Sequence, residues 1–133
     1  MKGYFTDLEE ATLKNDDFRR VLYTGKNSQL VLMCLGPGEE IGLEKHDAVD
    51  QFFRFEKGEG AVVVDGNRYR VKDGSGVVVP SGAMHNVINT SKKSVLKLYT
   101  IYSPPEHVDK TVRHTKADAE ARPEEYDGKP TEK

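Results

Sequence analysis

The stretch Gly74–Asn89, GSGVVVPSGAMHNVIN, constrains the fold of this chain more than any other. A glycine opens it, a short valine run leads to Pro80, Ser81 and Gly82 make a tight turn, and a second run carries His85 and Asn89. Apolar runs this short, bounded by Gly and Pro and rich in β-branched residues, read as strands rather than as a helix. Upstream, Gly38–Gly58, GEEIGLEKHDAVDQFFRFEKG, carries His46 among carboxylates and Gln51. The two stretches hold two of the chain's four histidines. They read as two halves of one metal site inside a small β-barrel.

The rest of the chain supports a β frame. Short runs at Phe18–Tyr23, Gln29–Leu35, Gln51–Glu56, Ala61–Val64, Arg68–Val71, Val77–Val79, Asn86–Asn89 and Val95–Tyr102 are separated by turn residues, including the hairpin signal Asp65-Gly66-Asn67. Regular short strands without a long helical period mean a sandwich or barrel. Residues 1–24 read as an N-terminal arm and first strand, 25–103 as the barrel and 104–133 as a polar tail. In the arm, Thr6-Asp7-Leu8-Glu9 fits a capping box that would start a short helix. The tail has no Leu, Ile, Phe or Met and cannot build its own core, so it either packs on the barrel or is partly disordered. A short helix is expected over Lys116–Ala121, stopped by Pro123.

Composition excludes several function classes. In 133 residues, 20 Lys and Arg nearly balance 22 Asp and Glu, for a net charge of −2. That balance argues against nucleic acid or a membrane surface as partner. No apolar run reaches spanning length. The start, MKGYFTDLEE, lacks a signal-peptide core, which predicts a cytoplasmic protein. The single cysteine, Cys34, excludes an internal disulfide and, in an apolar run, reads as a buried thiol. No kinase, phosphate-loop, nucleotide-binding or Ser-His-Asp pattern is present.

Strand alternation puts residues i and i+2 on one face. Glu44 and His46 then point the same way, as do Gln51, Phe53 and Phe55, and as do His85, Val87 and Asn89. If Glu44, His46, Gln51 and His85 all face inward, two imidazoles, a carboxylate and an amide meet beside two phenylalanines. Each has a plainer reading: the histidines as hydrogen-bonded core residues, Glu44 as a solvated strand-end carboxylate, Gln51 as a hydrogen-bonding side chain. Asp50 is one residue out of phase and should face outward. Pro80, Gly82 and Asn89 read as turn lock, turn and polar brace. His107 and His114 read as surface residues of the tail, unless the tail folds over the barrel mouth and brings one near the site. Tyr23, Tyr99 and Tyr102 read as core or interface residues, at most one of them lining a pocket.

The second stretch resembles the second motif of the cupin superfamily at Gly74, Pro80, Gly82, His85 and Asn89, and the first keeps that family's first-motif frame between Gly38 and Gly58. The wording DQFFRFEKGEG and the later YTIYSPPEH are similar to small single-domain bacterial cupins of the type loosely labelled mannose-6-phosphate-isomerase-like. The resemblance spans roughly residues 28–102. It implies an all-β jelly-roll barrel, the double-stranded β-helix, with a metal site. The family usually has His, His and Glu where this chain has Glu44, His46 and Gln51. The net ligand charge is unchanged, because the carboxylate has moved from the third position to the first. Glu44, His46, Gln51 and His85 are the candidate ligands of a divalent transition metal, and mixed N and O donors suit Mn, Fe, Ni or Zn.

By family analogy the expected activity is isomerisation or epimerisation of a small, sugar-like molecule, with Glu44 as the candidate catalytic base. The alternatives are a non-heme-iron dioxygenase, since two His and one carboxylate are also that ligand type, and a non-catalytic metal- or ligand-binding module. A homodimer is expected, because Phe52 and either Val95, Tyr99 and Ile101 or Leu96, Leu98 and Tyr102 must face outward.

Overall fold

Burial along the strands sorts the side chains into an inner and an outer layer. In a computed structural model that describes residues 1–133, Val31, Met33 and Leu35 of β2 (Gln29–Leu35) point inward. So do Gln51, Phe53 and Phe55 of β4 (Asp50–Lys57), and Leu96, Leu98, Thr100 and Tyr102 of β9 (Leu96–Ser103). These strands form the middle of a six-stranded antiparallel sheet, closed by β10 (Val112–Arg113) and β1 (Arg19–Thr24) on one side and β7 (Gly76–Val79) on the other, in the order β10-β1-β2-β9-β4-β7. The facing sheet has four strands, β3 (Glu44–Lys45), β8 (Met84–Asn89), β5 (Gly60–Val64) and β6 (Asn67–Val71), in the order β3-β8-β5-β6. The predicted all-β jelly roll is therefore the observed architecture, and a 17-residue apolar core fills the space between its layers. Fully burying a Phe or Leu side chain there contributes about 1.5–3 kcal/mol.

Two glycines sit where a side chain would be strained. A Cβ on Gly58 would stand 2.5 Å from the Val95 carbonyl, at a φ of +100°. Gly82 turns at φ +87°, and its amide donates to the His46 carbonyl at 2.8 Å. That bond ties the two sequence stretches together. Asn89 acts as the predicted brace: buried, it donates to the carbonyls of Leu35, Gly36 and Ser94 and accepts from the Ser91 amide.

The arm and the tail both lie on the barrel. α1 (Leu8–Lys14) is capped by Asp7, which accepts from the Glu10 amide, and not by Thr6; the helix starts one residue later than the capping-box reading places it. It covers the end of the large sheet's outer face that holds Leu32, Cys34 and Lys97, and Lys97 Nζ donates to the Leu13 carbonyl and to Asp16. In the tail, α2 (Lys116–Ala121) forms where expected, with Thr115 as its cap. Gln29, fully buried on β2, clamps the tail: its Nε2 donates to Thr24 Oγ1 and the His107 carbonyl, and its Oε1 accepts from the amides of Glu106 and His107. No helix is long and apolar enough to cross a membrane.

Candidate metal centre

Glu44 lies directly opposite His85 in the β3–β8 ladder, and His46 follows two residues after Glu44, just past the end of β3. The alternation that makes Glu44 and His46 neighbours continues beyond the strand because the Gly82 amide holds the His46 backbone. One donor atom from each of Glu44, His46 and His85 lies within 4.8 Å of the others. Glu44 Oε2 is 3.1 Å from His46 Nε2 and 4.0 Å from His85 Nε2, and the two rings are 5.4 Å apart between centroids. Donors bound at about 2.0–2.2 Å to one cation are spaced by roughly 3–4 Å, so the three donors have about the size of one face of a coordination shell.

The buried polar atoms test whether a cation fits. His85 Nδ1 lies 3.1 Å from the Ala83 carbonyl, which can only accept, so the proton sits on Nδ1 and Nε2 presents a bare lone pair. That Nε2 is buried and has no hydrogen-bond partner. Gln51, buried on the inner face of β4, donates through Nε2 to Thr100 Oγ1 at 3.0 Å, while its Oε1 also lacks a partner. Each such orphan costs about 1–3 kcal/mol. Both are acceptors, and a divalent cation is what satisfies acceptors without a donor. The residues present fit a metal.

Without a cation, Glu44 and His46 support each other's charged forms. Burial works against the Glu44 carboxylate, yet the His46 hydrogen bond and the charges of His46, His85 and Arg19 hold it below the usual carboxylate range. Glu44 in turn pushes His46 upward, against the effect of burial. Phe53 closes the apolar side, its ring 6.2 Å from that of His85.

Residues 31–102 match the family model of the Cupin domain. The chain is a cupin. The protein YrkC of Bacillus subtilis, itself described as uncharacterized, is 48% identical over 126 residues, covering 90% of this chain and 67% of YrkC. Protein L612 of Acanthamoeba polyphaga mimivirus is 43% identical over 107 residues, covering 78% and 67%. The crystal structure of BH2720 from Bacillus halodurans superposes with a TM-score of 0.88 at 41% identity, covering 91% of this chain and 96% of that one. Nothing in these relatives' names states a reaction.

This cupin thus brings together Glu44, His46 and His85. It turns Gln51 inward with a free carbonyl oxygen, and it leaves Asp50 exposed, where Asp50 Oδ1 accepts from the Ser81 amide. His114 is exposed, as expected, and pairs with Asp17. His107 corrects the surface reading. It is buried, its Nδ1 is 2.8 Å from Glu124 and its Nε2 is 3.2 Å from the Tyr102 hydroxyl. Tyr102 bridges inward, edge-on to both His107 and His46. Burial raises the Tyr102 hydroxyl far above the ordinary phenol range.

Sequence reasoning missed Arg19, Glu106 and Glu124. Arg19 opens β1 on the same face as buried Val21, and a charge on an inward face was the available signal. It lies over the Phe18 ring and 3.7 Å from Glu124. Glu106 Oε1 stands 3.5 Å from His46 Nδ1. Beside the cluster opens a cavity of about 210 Å³ lined by Phe18, Arg19, Ile41 and Glu44 and, from the tail, Lys116, Ala119, Glu120, Pro123 and Glu124.

Proposed function

We propose that this cupin holds one divalent transition metal (Mn, Fe, Ni or Zn) on His46, His85 and Glu44, with Gln51 as a weaker fourth donor, and that it acts on a small polar, sugar-like molecule as an isomerase or epimerase. The observation that carries the reading is the unpartnered, buried lone pair of His85 Nε2, set 4.0 Å from a Glu44 carboxylate that also lines a cavity. A bound cation supplies Lewis acidity, polarising a carbonyl or hydroxyl. The chain's own residues supply the rest. Phe18 and Ile41 give the cavity apolar walls, and Arg19 and Lys116 offer cationic donors to hydroxyl or carbonyl oxygens. A cavity of about 210 Å³ admits a molecule no larger than a small sugar.

One observation favours the binding-module reading beside it. Glu44 is hydrogen-bonded to His46 at 3.1 Å, and a carboxylate that serves as a ligand is not free to take a proton. Of the other carboxylates lining the cavity, Glu124 is tied to His107, Arg113 and Arg19, and Glu120 points largely to solvent.

Isomerisation or epimerisation by proton transfer next to a carbonyl exchanges carbon-bound hydrogen with solvent, whereas a hydride shift converts the sugar without exchange. Metal-loaded protein is incubated in deuterium oxide with a panel of aldoses, ketoses and their acids, and deuterium incorporation and conversion are read by NMR. Wash-in that disappears in Glu44→Gln supports catalysis. Intact metal binding with neither wash-in nor conversion of any sugar leaves the binding module as the function.

A further inference from the structure

The two histidines of the centre are built alike, but the outer partner of one comes from an unexpected place. His85 offers Nε2 to the cluster and gives its outer nitrogen, Nδ1, to the Ala83 carbonyl within the barrel. His46 also turns Nε2 toward Glu44, so its outer nitrogen is again Nδ1. The group facing that nitrogen is the carboxylate of Glu106, at 3.5 Å, from the polar tail.

The placement of Glu106 is not that of a loose surface side chain. Its amide and that of His107 both donate to Gln29 Oε1, at 3.2 and 3.0 Å. Gln29 has its own Nε2 committed to Thr24 and to the His107 carbonyl, so it holds the segment from both sides and is itself fully satisfied. The next residue, His107, is locked between Tyr102 and Glu124, and the Tyr102 ring packs edge-on against His46. The tail therefore reaches His46 along two routes, one charged and one apolar.

We propose that Glu106 is a positioning residue of the metal centre: with a cation on Nε2 in place of the hydrogen bond to Glu44, the His46 proton moves to Nδ1, where the Glu106 carboxylate, 3.5 Å away, accepts it and orients the ring, so that the C-terminal tail is part of the site. The proposal rests on the metal-centre reading above. A carboxylate behind a ligating imidazole orients the ring and raises its basicity, and losing such an outer partner typically costs 10–100-fold in metal affinity. Glu106 acts through His46 and does not touch the cation.

The test compares metal-stripped full-length wild type with Glu106→Ala, Glu106→Gln and, as a tail control, Glu125→Ala. Co²⁺ affinity is measured by calorimetry, and the visible absorption bands of bound Co²⁺ report ligand geometry. Wild type and Glu125→Ala should bind alike. Glu106→Ala should bind about 10–100-fold more weakly, with altered Co²⁺ bands. Glu106→Gln keeps an acceptor oxygen at the same reach and should recover much of the band shape but only part of the affinity. If Glu106→Ala unfolds, the Gln variant, which keeps the side chain's shape, decides. Wild-type affinity and bands in the Glu106 variants would overturn the proposal while leaving the metal centre standing. A loss as large as that of His85→Ala would make Glu106 a direct ligand, and overturn it too. Wild type that bound no metal would bring down both readings together.

Discussion

Glu44 and His85 stand directly opposite each other in the β3–β8 ladder, with Glu44 Oε2 4.0 Å from His85 Nε2. Strand pairing, not loop flexibility, sets that separation. The Gly82–His46 hydrogen bond then brings the third residue to the same point. The centre is thus held by backbone on two sides before any cation arrives, which is the condition for a preorganised metal site.

Gln51→Glu should tighten metal binding by at least about tenfold, or 1.4 kcal/mol, at neutral pH. The Gln51 carbonyl oxygen is already buried and without a partner, and the substitution makes it anionic where the cation would sit. In the metal-free protein the same change sets a second carboxylate in the interior with Glu44, so the apo form should lose stability. Calorimetry with and without metal measures both. Unchanged or weaker metal binding in Gln51→Glu would place Gln51 outside the centre.

Gln29→Ala should destabilise the protein by about 2–4 kcal/mol, since it leaves the Glu106 and His107 amides and the His107 carbonyl without their buried partner. Denaturant unfolding gives the magnitude. Amide exchange should quicken first at residues 106 and 107, ahead of the core strands.

Acid should loosen the tail through His107. Burial, its largest influence, and Arg19 hold this imidazole below its ordinary value, while Glu124 and Glu106 pull the other way. The unfolded chain takes up its proton near pH 6.5 and the folded chain resists. The stabilisation is therefore complete above about pH 6.5 and is lost as pH falls from there through the folded value. Glu124, also held low, adds a loss at more acid pH. His46, raised by Glu44, acts in the opposite sense in the metal-free protein, so the readout is a difference. Between about pH 7 and pH 5 the wild-type thermal midpoint should fall more steeply than that of His107→Gln. Parallel curves would contradict the assignment.

We propose that two copies pair through the outer face of the large sheet. Val78, Phe52, Ile101 and Leu30 stand in register across four strands; the next residue in the row, Tyr23, is covered by the chain's own Tyr4 and Glu132, and α1 covers the other end of this face. Val95, Tyr99 and Ile101 form the outward set of the last strand's two alternatives. Light scattering should give twice the chain mass at micromolar concentration, and Ile101→Lys should give the monomer. A wild-type monomer would contradict the interface.

Much of this was legible in the sequence for a physical reason. Alternation needs only local geometry, so the inward set Gln51, Phe53 and Phe55 and the neighbours Glu44 and His46 could be read without knowing what lay opposite. The tail was not legible. His107 and Glu106 sit in a polar segment with no periodicity, and their burial depends on Gln29 and Tyr102, far away in the chain. The helix start was displaced by one residue because Asp7 offers a carboxylate where Thr6 offers a hydroxyl, and either can cap.

The account stands on the metal centre, and calorimetric titration of metal-stripped protein tests it most directly. Wild type should bind one equivalent of a divalent transition metal, and at about 100 times its Kd the metal should stabilise the fold by about 2.7 kcal/mol. His85→Ala removes a nitrogen donor at the centre and should weaken binding by more than about a hundredfold, beyond what loss of an outer partner causes. Equal affinity in wild type and His85→Ala would contradict the account.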